Sequence, residues 1–180
     1  MASAEVTVLG AGVFGLSIAW ACVRRGAKVQ VIDPGGTGAG ASGGIVGALA
    51  PHVPENWNDK KAFQLDSLLM AEAFWAEVDS VSGRSAGYGR LGRVQPIPNE
   101  RALDLARTRS ETAKALWQGA APWDVTRAPP GRATPPSPTG WYIFDTLSAR
   151  LLPIQACESI ASSLRNEGMT LTTNGDLKGK

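Results

Sequence analysis

The sequence predicts an α/β protein organised on a parallel sheet. Three observations carry that expectation. A β-branched run at residues 5–9 is followed by a glycine-punctuated turn and a segment of helical length. A second β-branched run at 28–32 then completes a strand–helix–strand unit within the first 33 residues. Two strands joined through a crossover helix lie parallel. The composition allows such a fold: 43% of the 180 residues are hydrophobic and 19% are charged, a balance that buries a core and excludes both disorder and collagen-like repetition.

The elements follow in order. Residues 5–9 (EVTVL) read as a strand ended by Gly10, and residues 13–25 as a helix closed by Gly26. Residues 28–32 (KVQVI) form the second strand. Residues 34–59 show no clear period, and seven of the thirteen residues 35–47 are Gly, which suits backbone that approaches something closely or takes positive φ. Residues 60–80 read as a helix with one apolar stripe at Leu68, Ala71, Trp75 and Val78 and another at Phe63, Met70 and Phe74, hence covered on two sides. A strand is expected at 92–97. Asn99 caps a helix running to about Trp117, whose interleaved charges mark a solvated face. Residues 128–140 hold five prolines and read as a surface loop with polyproline character. A strand candidate at 141–144 follows. Pro153 starts a last helix with Ile154, Cys157, Ile160 and Leu164 on one face, Gly168 closes it, and residues 169–173 form a final short strand.

Several functions are disfavoured by what the chain contains. Eighteen Lys and Arg against sixteen Asp and Glu leave a net charge of +2, which does not point to nucleic acid or an acidic membrane face. Cys22 and Cys157 are too few and too far apart for a disulfide framework, and a single His excludes a multi-histidine metal site. The apolar stretch 6–23 lacks a preceding basic region, and no other segment is long enough to span a bilayer. The expectation is a soluble, cytoplasmic protein without nucleic-acid, membrane or metal partners.

Gly10, Ala11, Gly12, Val13, Phe14 and Gly15 spell G-x-G-x-x-G between the first strand and the first helix, and the second strand ends in Asp33. Each part has a mechanical reason. Gly10 permits the tight turn, Gly12 lets a pyrophosphate reach the backbone, and Gly15 lets the helix pack on the strands. The helix N-terminus offers unpaired N–H groups and a partial positive charge. Asp33 is placed to accept hydrogen bonds from ribose hydroxyls, which disfavours a 2′-phosphate. The expectation is a Rossmann-like dinucleotide site that leaves NAD and FAD open.

The segment from Gly38 to Pro51 (GAGASGGIVGALAP) resembles the stretch after the second strand in the D-amino-acid oxidase and glycine oxidase family of flavoproteins. The pattern Gly10 to Gly26 is similar to that family's opening. Ser82-Gly83 followed by Gly87-Tyr88, Arg90 and Gly92 looks like its entry into the substrate domain. The resemblance implies FAD as cofactor. It places Gly10, Ala11, Val13 and Phe14 at the pyrophosphate and Asp33 at the ribose. Ala41, Ser42 and Gly43 fall at phosphate or flavin, and Gly47, Ala48 and Leu49 beside the isoalloxazine ring. It also implies an incomplete FAD-binding unit plus part of a smaller substrate domain. The expected divisions are residues 1–82 (FAD-binding unit and flavin-contacting loop), 83–145 (substrate-domain segment) and 146–180 (helix and strand returning to the sheet).

The reaction implied is oxidation of a small amine or amino acid, with hydride passing from the substrate Cα to flavin N5 and O2 as acceptor. No residue matches the family's catalytic positions, which lie in a later half, so no catalytic residue is assigned. That half would also supply the strand beside the first, leaving room for a second chain as partner. Competing readings are a dehydrogenase with another electron acceptor, a relative that modifies a tRNA base, and a non-catalytic subunit that binds nucleotide or a partner chain. His52, Trp57, Tyr88 and Arg90 are the remaining residues of interest. Their plainer readings are a loop His, a loop aromatic and a strand-edge pair.

Overall fold

The computed structural model describes residues 4–131 and 134–172. In chain order the elements are β1 (Val6–Leu9), α1 (Val13–Val23), β2 (Val29–Ile32), a 3-10 turn at Ala41–Gly43, β3 (Gly47–Leu49) and α2 (Asp59–Ser82). Next come β4 (Arg93–Pro96), α3 (Glu100–Leu116), β5 (Trp123–Thr126), β6 (Tyr142–Asp145), β7 (Ala149–Leu151), α4 (Pro153–Asn166) and β8 (Thr170–Thr172). The chain forms two compact units. The first draws on Met1–Gly47, Ala73–Tyr88 and Leu151–Lys180, the second on Ala48–Glu72 and Gly89–Arg150.

The first unit holds the parallel sheet, in the order β1-β2-β8. Val6 pairs with Val29 and Leu9 with Ile32, while Gln30 to Ile32 pair with Thr170 to Thr172. Among the described residues β1 has a neighbour on one side only, and Leu9, Phe14 and Ile18 are exposed. Helix α1 forms because its apolar run turns Leu16, Ala19 and Trp20 inward, and Gly26 at φ +85° stops it, donating to Val23 O. Helix α4 starts at Pro153, whose missing N–H costs nothing at that position. Its buried side includes Cys157, Ile160 and Leu164 as expected, but Ile154 stands partly exposed. The same helix buries serines that an apolar period overlooks. Ser163 Oγ donates to Val78 O (2.9 Å) and Ser159 Oγ to Asp79 Oδ1 (3.1 Å), tying α4 to the C-terminal end of α2.

The second unit packs α3 on the antiparallel sheet β4-β6-β5. Asn99 caps α3 as expected, its Oδ1 accepting from Ala102 N (2.9 Å). Leu103, Ala106, Ala113 and Trp117 join Ile97, Trp123 and Leu147 in one core. Helix α2 buries the stripe Leu68, Ala71, Trp75 and Val78. The second stripe is covered only in part: Phe63 is 74% and Met70 59% exposed, while Phe74 is half-buried and edge-on to Trp75. The strand expected at 92–97 is shorter, and that at 141–144 shifts by one residue. Three short strands, β3, β5 and β7, have no counterpart in the sequence reading. The proline-rich loop is fastened where it is described: Ser137 Oγ donates to Trp141 O (2.7 Å) and Thr139 Oγ1 to Ile97 O (2.7 Å). The final strand spans Thr170–Thr172, and residue 173 of the expected strand lies outside the described residues.

Candidate functional site

The glycine arm between β1 and α1 is shaped by exclusion of side chains. Gly10 takes φ +107°, a conformation L-residues rarely adopt, and donates to Ile32 O (2.8 Å). A Cβ on Gly15 would lie 2.0 Å from Gly10 O, so only glycine lets α1 start this close to β1. Gly12 is the extended N-cap residue of α1, and a Cβ there would meet Ser42 Oγ at 3.1 Å.

Two side chains from the following loop fasten the arm. Asp33 Oδ2 accepts from Ala11 N (2.7 Å), while Oδ1 accepts from Gly35 N (2.7 Å) and Gly36 N (2.9 Å). Ser42 Oγ accepts from Val13 N (3.0 Å), the first residue of α1. Gly38 N adds a bond to Ala11 O (2.9 Å). Among the described residues none accepts a hydrogen bond from the N–H of Gly12, Phe14 or Gly15. These donors sit at the positive end of the α1 dipole, an arrangement that suits an anion such as a pyrophosphate. The buried Thr37 Oγ1, also in this loop, has no partner among the described residues.

The amide of Ala11 holds the Asp33 carboxyl below the ordinary carboxylate range; burial opposes this, and Gly35 and Gly36 add to it. A carboxyl whose folded pKa is depressed contributes stability that is fully present above its unfolded value of 3.8 and is lost as pH falls through the folded value. Asp33→Ala is therefore expected to be less stable than the wild type at neutral pH, with the gap narrowing at about pH 3. Urea midpoints of the two proteins at both pH values check this, and a gap that stays constant contradicts it.

The sequence points Asp33 at the ribose; the structure shows that it also clamps the glycine arm. The signal was present: Asp-Pro-Gly-Gly is a local turn in which an Asp side chain accepts from amides two and three residues on. With three bonds made, the carboxylate keeps acceptor capacity for one more donor. Gly10 to Gly15, Asp33 and Ala41 to Gly43 thus come together in the first unit. Gly47, Ala48 and Leu49 form β3. Gly47 packs where a Cβ would lie 2.6 Å from Leu151 Cδ1, and Leu49 packs on the core of the second unit.

His52 is half-buried, and its main-chain N–H donates to Gln64 Oε1 (2.8 Å). Trp57 lines a cavity of about 400 Å³ with Leu65, Leu69 and Trp117. Arg90 donates to Thr146 O (2.8 Å) and Ala120 O (3.3 Å).

Residues 5–179 match the family described as FAD dependent oxidoreductase, DAO. The chain belongs to this family. FAD is the cofactor of the DAO family, and the residues of the arm fit its pyrophosphate by their free amides and absent side chains.

A putative thiamine biosynthesis oxidoreductase, ThiO, of Rhizobium etli is 51% identical over 172 residues, covering 93% of this chain and 48% of that protein. The tRNA 5-methylaminomethyl-2-thiouridine biosynthesis bifunctional protein MnmC of Albidiferax ferrireducens is 50% identical over 54 residues, 29% of this chain and 9% of that one. Glycine oxidase from Geobacillus kaustophilus superposes with a TM-score of 0.71 at 18% identity, covering 94% of this chain and 46% of that one. The chain spans less than half the length of these relatives. No described helix is long and apolar enough to cross a membrane.

Proposed function

We propose that this chain carries the FAD-binding portion of an oxidoreductase that oxidises a small amine or amino acid. The observation that carries the reading is the arm from Gly10 to Gly15, clamped by Asp33 and Ser42 and presenting unpaired amides at the start of α1. The amides of Gly12, Phe14 and Gly15 take the pyrophosphate oxygens. Asp33 holds the arm open and accepts a ribose hydroxyl with its remaining lone pair. When bound, FAD supplies the two-electron acceptor that takes hydride from the substrate Cα and passes the electrons to O2. Leu9, Phe14 and Ile18 are exposed, and among the described residues β1 is paired on one side only; both suit a further strand from additional polypeptide that completes the sheet.

The test is a visible spectrum of the purified chain after incubation with FAD. Flavin bands near stoichiometry, bleached anaerobically by glycine or a D-amino acid, are expected of the whole reading. Flavin bands without bleaching leave cofactor binding and remove the oxidase activity from this chain. A colourless protein with no affinity for FAD overturns both. Asp33→Ala is expected to weaken FAD binding by about 1.5–3 kcal/mol, the worth of a charged hydrogen bond, or roughly 10–100-fold in Kd. An unchanged Kd by fluorescence titration takes Asp33 out of the site.

A further inference from the structure

The cavity of about 400 Å³ that Trp57 lines lies wholly within the second unit, between the first half of α2 and the C-terminal end of α3. It uses no residue of the glycine arm, and its volume is that of a small-molecule site. Leu65 and Leu69, one turn apart on α2, give it an apolar wall, and Trp57 from the preceding loop adds an indole. Three polar side chains share the lining, and none has a partner among the described residues. The Nε1–H of Trp117 is buried without an acceptor, in a residue only 1% exposed. The Asp66 carboxylate, on an exposed residue of α2, makes neither a hydrogen bond nor an ion pair. The side-chain amide of Gln118 is likewise unpaired, and its backbone sits at φ +49°, a left-handed conformation that a non-glycine residue adopts only where its surroundings impose it. The contrast with the other acids is plain. Glu55 pairs with Arg109, Asp79 with Ser159 and Asp145 with Arg93.

We infer that this cavity binds a small organic cation with an aryl body and one hydrogen-bond acceptor. Each part of the ligand follows from a group in the lining. An indole and a carboxylate are the two groups that hold an organic ammonium, the first by its ring quadrupole and the second by charge. Trp57 and Asp66 supply them. The leucines cover a flat apolar body. A buried N–H without an acceptor carries an unrecovered desolvation cost, and a carbonyl on the ligand relieves it at Trp117. The site is independent of the FAD reading, since the two share no residue.

The experiment titrates the purified chain with benzoylcholine, which has an aryl ring, an ester carbonyl and a quaternary ammonium. The six Trp indole N–H signals are followed by two-dimensional NMR, with that of Trp117 identified by its loss in Trp117→Phe. A saturable downfield shift of the Trp117 signal is expected as its N–H gains an acceptor. Asp66→Asn, an exposed change that leaves the core intact, is expected to weaken benzoylcholine about two- to fivefold, the range for an exposed ion pair. The same substitution is expected to leave 3,3-dimethylbutyl benzoate unaffected, because carbon replaces the charged nitrogen in that probe. A Trp117 signal that does not move, or a loss in Asp66→Asn that is equal for both probes, overturns the inference. Displacement of benzoylcholine by ADP overturns it too, since the probe would then occupy the glycine arm. A chain that binds benzoylcholine in this way but takes up no FAD refutes the FAD reading and leaves the cavity assignment standing.

Discussion

Gly15→Ala is expected to lose FAD uptake and at least about 3 kcal/mol of stability, the upper end of the cost of overpacking. The reason is positional. The added Cβ would lie 2.0 Å from Gly10 O and 3.0 Å from Gly10 C, both backbone atoms, and 3.3 Å from Val8 Cγ1. Neither backbone atom can yield cheaply. Gly10 is held at φ +107° and its N–H is bonded to Ile32 O, so its carbonyl is fixed from both sides. Relief requires α1 to move away from β1 or the Gly10 peptide to rotate. Either movement re-aims the amides of Gly12 and Phe14 to which the proposed function assigns the pyrophosphate. Domain stabilities are about 5–15 kcal/mol, so the loss is a large share of the whole. Gly44→Ala is the control: its Cβ meets nothing within 4 Å and its φ of −65° suits any residue. Urea denaturation with FAD titration on both variants decides the matter. A Gly15→Ala protein with wild-type midpoint and affinity refutes the account of how the arm is held.

The same contrast explains what the sequence made legible. The first βαβ unit was readable because its determinants are local: alternating Val residues, glycines at fixed offsets, and a C-terminal Gly26. Asn99 and Pro153 were readable for the same reason, since a cap or an N1 proline acts within one turn. The short strands β3, β5 and β7 carry three or four residues each, and pairing with distant partners rather than local period makes them strands. Helix α4 shows how periodicity misleads in one direction. Its buried Ser159 and Ser163 are satisfied by Asp79 and Val78, partners 80 and 85 residues away that no window could include. Phe63 and Met70 mislead in the other direction, as apolar residues that the fold leaves exposed. At the site, residue identities were legible but linkages were not. Asp33 reads as a ligand residue while three backbone amides claim it first, and the bond from Val13 N to Ser42 Oγ joins residues 29 apart.

Asp145→Ala should produce the second large effect, and it concerns a residue the sequence did not single out. Asp145 is fully buried at the end of β6. Its Oδ1 accepts from Ser148 N (2.7 Å) and its Oδ2 pairs with Arg93 Nε (3.2 Å), the residue opposite it on β4. The carboxylate therefore joins the start of β4, the end of β6 and the turn into β7. Removing it leaves the Ser148 amide unpaired in a buried place and Arg93 without its counter-charge. Losing one partner of a buried pair costs about 3–5 kcal/mol. Arg93 is 36% exposed and regains some hydration, which sets the expectation at the lower end, about 3 kcal/mol. Asp145→Asn separates the two contributions, because its carbonyl oxygen still accepts from Ser148 while the ion pair is gone. It should lose about half as much, on the order of 1.5 kcal/mol for a single hydrogen bond to a charged group. Chemical denaturation of the three proteins measures both steps. If Asn proves as damaging as Ala, the ion pair rather than the turn amide holds the corner; if neither shifts the midpoint, the buried carboxylate does not brace this sheet.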